Sequence, residues 1–287
     1  MLFGLAVHAF PAEDPPFACQ TLFVASVGGY DTYRIPSLIV SRKGVVLAFC
    51  EGRKKSSGDA GDIDLLLRRS TDGGKTWSSP QVVWDDAGNT CGNPCPVVDA
   101  KTGTIWLLST WNRGDDHEPH IISQKSKDTR RVFLLNSKDE GRTWSEPMQI
   151  TSCVKQSNWT WYATGPGAGI QLVRGKTRGR LVIPCDHIEA GTGRYYSHVI
   201  YSDDGGLNWK LGGRTPNDQV NECEVAERED GSLLLNMRSY DPAKKARQTA
   251  LSQDGGLTWQ DQKIREELVD PICQASLRRL SWASKSE

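Results

Sequence analysis

Arginine and carboxylate side chains able to serve one site are spread widely along this chain. Arg34 lies in Tyr33-Arg34-Ile35-Pro36, and Arg238 in Asn236-Met237-Arg238-Ser239. A guanidinium is planar, stays charged and grips a carboxylate through two parallel N–H donors, so these residues suit an acidic ligand. A single arginine at a strand end is more often half of a surface ion pair worth little. Asp59 sits in the glycine-flanked loop Gly58-Asp59-Ala60-Gly61, where a covered, partly apolar carboxylic acid can hold a proton for later transfer. Asp62 and Asp64 compete with it. Asp62 reads as a turn residue and Asp64 as an outward strand position. A second acidic stretch, Asn221 to Glu227, offers Glu222, Glu224 and Glu227, with an exposed strand glutamate as the plain alternative.

The histidines give weaker signals. His117 and His120, beside Asp115 and Asp116, have the types of a metal cluster but read better as a solvated loop rimming a pocket, with Asp116 a candidate lining residue. Asp186 and His187 follow Pro184-Cys185 and are also candidates for a pocket wall. Cys91 and Cys95 bracket Gly92-Asn93-Pro94, and no second pair at zinc spacing follows. No metal and no cofactor are expected.

The bulk numbers narrow the partners. Lys plus Arg and Asp plus Glu are both 35, a formal net charge of zero over 287 residues. Such a chain lacks the global field of a nucleic-acid binder or polybasic membrane anchor. Leu2 to Phe10 is apolar but too short to span a bilayer, and no later stretch suits a transmembrane helix. Residues 1–18 are read as the remnant of an export signal or a disordered N-terminus, and 19–287 as one domain. A secreted or periplasmic monomer is expected. The even count of 8 cysteines suits export, yet most sit in apolar strand patterns, where a free cysteine acts as a small hydrophobe.

These residues hang on a repeat. Ser70-Thr-Asp-Gly-Gly-Lys-Thr-Trp77 recurs as Ser137-Lys-Asp-Glu-Gly-Arg-Thr-Trp144, Ser202-Asp-Asp-Gly-Gly-Leu-Asn-Trp209 and Ser252-Gln-Asp-Gly-Gly-Leu-Thr-Trp259. Each box reads as a turn: Asp72 accepts from backbone N–H groups, Gly74 takes a positive φ, and Trp77 buries its ring. Short apolar runs flank each box, as in Ile35–Val40, Gly44–Phe49, Ile63–Arg68 and Pro80–Trp84 around the first. Four strands per repeat, with the box between the third and fourth, make a β-propeller blade. Four blades are expected, with Cys273–Leu277 as the first strand of a fifth.

The box occurs in unrelated propellers, so function rests on residues outside it. Tyr33-Arg34-Ile35-Pro36, Glu51-Gly52-Arg53, Gly58-Asp59 to Asp64, Gly92-Asn93-Pro94, Trp161 to Gly169, Asn221 to Glu227 and Leu235 to Ser239 together resemble the motifs of the sialidase family, over roughly residues 20 to 277. The resemblance implies a six-bladed all-β propeller, here truncated to about four blades. It implies an exo-α-sialidase that removes terminal sialic acids from glycoproteins, glycolipids or oligosaccharides with retention of configuration. Arg34 and Arg238 would bind the substrate carboxylate, and Asp59 would be the acid/base. Glu222 would partner a tyrosine nucleophile. Glu51 and Arg53 would support the site, with Glu51 orienting Arg34, and Asn93 would line the pocket. A third arginine and the tyrosine have no match here, so weak or absent hydrolysis is expected. The alternative is a non-catalytic binding or scaffold propeller.

Overall fold

The computed structural model describes residues 19–282 apart from 242 and 244. The reading of residues 1–18 as an export remnant lies outside the described residues. Four antiparallel groups follow one another along the chain. The first holds β1 (Thr32–Val40), β2 (Val46–Arg53), β3 (Ile63–Ser70) and β4 (Gln81–Trp84). The second holds β5 (Thr90–Val98), β6 (Ile105–Asn112), the short helix α1 (Glu118–Ile122), β7 (Arg131–Ser137) and β8 (Met148–Gln149). The third opens with α2 (Thr151–Val154) and continues through β9 (Trp159–Thr164), β10 (Ile170–Gln171), β11 (Leu181–Glu189), β12 (Tyr195–Ser202) and β13 (Lys210–Arg214). The fourth is β14 (Val220–Glu227), β15 (Leu233–Ser239), β16 (Ala246–Ser252) and β17 (Gln260–Val269).

Strands pair in sequence order within the first, second and fourth groups, while in the third both β9 and β10 pair with β11; one parallel bridge, Ile63 to Thr90, links the first group to the second. The expected all-β architecture is what forms. No helix among the described residues is long and apolar enough to cross a membrane. Alternating strand residues fill three cores, one between each successive pair of groups. Leu47, Phe49 and Leu65 meet Ile105 and Leu107; Val97 and Leu134 meet Ile183 and Ile200; Val182 and Val199 meet Val225 and Leu235. Each such side chain stabilises the packing by about 1.5–3 kcal/mol relative to exposure.

The boxes build one turn four times. In the first, Ser70 Oγ donates to Asp72 Oδ1 at 2.7 Å, and the Thr76 amide and hydroxyl donate to Asp72 at 2.9 and 2.6 Å. Gly74 has φ +91°, a conformation where a Cβ is strained. Trp209 and Trp259 are buried, whereas Trp77 and Trp144 are only half-buried. All eight cysteines are free, five of them buried.

A loop from Gly165 to Gly169 ties the groups together at the centre. Ser37 Oγ donates to Gly167 O at 2.5 Å, Gly169 N to Pro96 O at 2.9 Å, and Cys223 N to Gly165 O at 3.2 Å. The buried Glu224 accepts from Ala168 N at 3.1 Å, and a Cβ on Gly167 would lie 1.9 Å from its Oε1. Glu224 also holds Leu277 N at 2.7 Å and the Arg278 guanidinium at 2.9 Å. This corrects the expected strand at Cys273–Leu277. That segment has no ladder and is held by Asp270 and Arg247 at Cys273, by Pro166 O at Gln274 and by Glu224 at Leu277.

Candidate active site

The ends of β1, β2, β14 and β15 opposite the boxes surround a polar cavity of about 230 Å³. Arg34, near the start of β1, stands across from Glu51 on β2. A bulge begins right after it, with Ile35 at φ +57°, and bulges of this kind re-aim a side chain. Arg34 Nη1 donates to Asp59 Oδ1 at 2.9 Å and to Ser57 O at 3.1 Å. Arg53 closes β2 and reaches the same Asp59 oxygen at 2.8 Å, with Ser57 O and Gly58 O at 2.6 and 2.9 Å. Two guanidiniums thus clamp one aspartate whose side chain is 61% exposed.

The expected partner of Glu51 is corrected. Its Oε2 binds Arg53, at 3.0 Å from Nε and 2.6 Å from Nη2, and not Arg34. Arg34 already has Asp59, while Arg53 lies beside Glu51 with both side chains buried. Glu51 Oε1 takes the Asn93 amide at 2.9 Å, and Gly92 leaves room for it, since a Cβ there would sit 2.7 Å away. Asn93 lines the cavity with φ +53°, which asparagine tolerates better than most residues.

Glu222 and Arg238 form the opposite pair, Oε2 to Nη1 at 2.7 Å. Asn221 precedes Glu222 in a β14 bulge and donates to Asp186 Oδ1 at 2.9 Å. The alternates Glu224 and Glu227 do not reach the cavity, because Glu224 serves the central loop and Glu227 holds the Val173 and Arg174 amides at 2.8 and 2.9 Å. Asp186 is fully buried and its Oδ2 has no hydrogen-bond partner. Burial first, then the charges of Glu222 and Glu118, push its carboxyl well above the usual range. Four guanidiniums and five carboxyls line the cavity, and burial raises two of those carboxyls, Asp186 and Glu118.

Two candidates are misplaced. Asp116 is buried away from the cavity, its oxygens accepting the Lys127 and Asp128 amides at 2.9 Å each. His187 alternates with Asp186 along β11 and so faces inward, its ring stacked 3.5 Å from that of Trp159 and its Nδ1 3.0 Å from His198 Nδ1. Asp64 does not face out either, being 1% exposed and bonded by Tyr30 at 2.7 Å.

Glu118, Arg130, Trp161 and Tyr240 also line the cavity and do not stand out as site residues in the sequence. The His117–His120 loop held a hint of the first, but its Glu-Pro start forms α1 and aims Glu118 inward. Arg130 is buried and has only neutral acceptors: Tyr162 O at 2.9 Å, Asn112 Oδ1 at 2.6 Å, Thr110 Oγ1 at 2.9 Å and Asn93 Oδ1. It lies 3.9 Å over Trp161. Burial pushes it down to about 10, against the pull of Glu51 and Glu118. Nothing in the sequence separates it from Arg131. Arg238 lies 4.9 Å over Tyr240, whose phenol is raised chiefly by burial.

The only close carboxylate trio among the described residues, Asp62, Asp64 and Asp85, gathers around Lys54 Nζ at 2.9, 3.1 and 3.4 Å. An ammonium therefore occupies the place a metal would take.

Residues 44–282 match the model of the BNR repeat-like domain. A sialidase of Bacteroides fragilis is 36% identical over 85% of this chain and 46% of its own length. Sialidase-2 of Cricetulus griseus is 32% identical over 91% of this chain and 70% of its own. Among solved structures, the Hadza microbial sialidase Hz136 superposes with a TM-score of 0.76 at 31% identity, covering 87% of this chain and 50% of that one. The chain spans about half the length of the bacterial relatives it matches. By its repeats, its fold and these likenesses, the chain belongs to the sialidase family with BNR repeats.

Proposed function

We propose that this chain forms the sialic-acid-binding part of an exo-α-sialidase acting on terminal sialic acids of glycoproteins, glycolipids or oligosaccharides. One observation carries the reading: Arg34, Asp59, Glu222 and Arg238, from the first and fourth groups, line one small cavity. A sialoside bears a carboxylate on its anomeric carbon, and two guanidiniums from separate groups can grip it through charge-assisted bonds. Arg34 is 43% exposed and its partner Asp59 is more exposed still, so an incoming carboxylate can take Asp59's place at Arg34. Asp59, still held by Arg53 at 2.8 Å, then stands at the cavity rim as the acid towards the leaving oxygen.

Glu222 is placed as the base for a phenol nucleophile for which the described residues hold no match, a route that spares an anionic attacker from meeting the substrate carboxylate. Tyr240 shares the cavity, but burial favours its neutral form, and its ring serves as the surface beneath Arg238. With such a phenol in place, its oxygen would displace the leaving alcohol, which takes its proton from Asp59, and water would then release the sugar with net retention.

Calorimetry of the 287-residue chain with free sialic acid tests the binding claim. Binding should weaken at least tenfold in Arg34→Ala and in Arg238→Ala. No heat at millimolar ligand, or binding by both variants equal to that of the parent chain, would sink it. Release of an aryl leaving group from a sialoside separates a hydrolase from a binding module.

A further inference from the structure

On the box edge of the molecule a groove of about 1000 Å³ runs between the second and third groups. It is opened by the turn after β5, the box following β7, the loop from β10 to β11 and the box following β12. The candidate site lies at the other end of the strands. Asn93 is near the start of β5 and Asp99 just past its end, about 20 Å apart at ~3.3 Å per residue.

The charges of the groove are unevenly engaged. Its three aspartates are all committed. Asp99 is buried and accepts from Thr102 Oγ1 at 2.6 Å and Gln171 Nε2 at 3.0 Å. Asp203 pairs with Arg180 at 2.7 Å, and Asp204 is held within its own box by the Asn208 side chain at 2.7 Å. Lys101, Lys138, Lys176 and Arg178 also line the groove. All four are exposed, and none has a carboxylate within salt-bridge distance among the described residues. On a chain of zero net charge this is a local surplus of cations around a concave surface.

We infer that this groove binds an anionic sugar chain, through Lys101, Lys138, Lys176 and Arg178, independently of the candidate active site. A concave groove with cations from separate loops fits a strand carrying repeated carboxylates or sulfates. Its volume reaches the upper end of the roughly 300–1,000 Å³ of small-ligand pockets and accommodates an oligosaccharide. The side-chain amide of Asn136 and the hydroxyl of Thr177 make no hydrogen bond among the described residues and can meet sugar hydroxyls. Single-stranded nucleic acid is disfavoured because it needs exposed aromatic faces for stacking. The one aromatic residue here, Trp106, is 7% exposed, with its indole N–H on Gly205 O at 2.8 Å.

The test measures binding of two probes, a heparin-derived sulfated oligosaccharide and an oligogalacturonate, against an uncharged dextran of equal length. At least one anionic probe should bind, should lose most of its affinity between about 50 mM and about 300 mM salt, and should exceed dextran at least tenfold. The preferred probe tells sulfate from carboxylate. The variant Lys101→Ala/Lys138→Ala/Lys176→Ala/Arg178→Ala should weaken binding at least tenfold with an unchanged melting temperature. The control Lys75→Ala/Lys125→Ala/Lys210→Ala/Lys263→Ala removes equal charge elsewhere and should bind within about twofold of the parent. An equal loss in the control, no binding of either anionic probe, or equal affinity for a single-stranded oligonucleotide of matched charge would overturn the inference.

Discussion

Carboxylates are held at both ends of the same strands, but by different means. At the box end, Asp72, Asp139, Asp204 and Asp254 each find partners within four residues, on a hydroxyl and an amide of their own turn. At the cavity end, Asp59 is bonded by a residue 25 positions away, Asp186 by one 35 away, and Glu51 by the Asn93 amide 42 away. The box is a closed local solution, repeated because each hairpin needs it. The cavity exists only when separate groups are brought together. Stability should therefore answer to the boxes in small equal steps, and to the cavity through a few cooperative contacts.

The sharpest break of this contrast is Glu51→Leu. It leaves the Nε and Nη2 donors of the buried Arg53 and the Asn93 amide without their acceptor, although Arg53 Nη1 keeps Asp59, and should cost about 3–5 kcal/mol in urea unfolding. Glu51→Leu/Arg53→Met should recover much of that loss. A cost below about 1 kcal/mol for the single change would mean the pair is hydrated and the contrast is false.

Binding comes next in size. Arg34→Ala or Arg238→Ala should lower affinity for free sialic acid by about 1.5–3 kcal/mol, the range for a hydrogen bond to a charged group. Unfolding midpoints should hardly move, because both side chains are partly solvated. A box change should do the reverse. Asp254→Ala removes acceptors for the Leu257 and Thr258 amides and should cost about 1–2 kcal/mol of stability while leaving sialic acid affinity unaltered.

The smallest signal is the pH slope, where the two ends differ in sign. Burial raises Asp139, but the Thr143 and Ser137 bonds outweigh it and bring it to about 2. Against about 3.9 unfolded, its stabilisation is complete above that pH and fades as pH falls towards 2. Asp186 is raised, so the folded state keeps a proton that the unfolded chain releases above pH about 3.9, and stability declines as pH rises. Melting temperatures of Asp139→Asn and Asp186→Asn across about pH 3 to 8 should show opposite changes of slope. Parallel profiles would remove the distinction.

Much of the fold was legible because its signals are local. Period-two apolar runs and a turn whose serine, aspartate and glycine act within eight residues declare themselves in the sequence. Arg34, Asp59, Glu222 and Arg238 stood out through short motifs, and they do line one cavity. Arg130 did not, since its role as a buried cation comes from Asn93, Asn112 and Thr110 on other strands.

Sequence by itself determined the strands, the boxes and which residue types were available for acid and carboxylate chemistry. Tertiary structure decided which of them share a space. Asp186 and His187 are neighbours in sequence, yet strand alternation puts one on the cavity and the other against Trp159. Glu51 could serve either arginine until the β1 bulge aimed Arg34 towards Asp59. Spacing along the chain fixes the side on which a residue emerges from its own strand. The partners it meets depend on how the groups pack on one another and on the central loop, and that packing belongs to no local stretch of sequence.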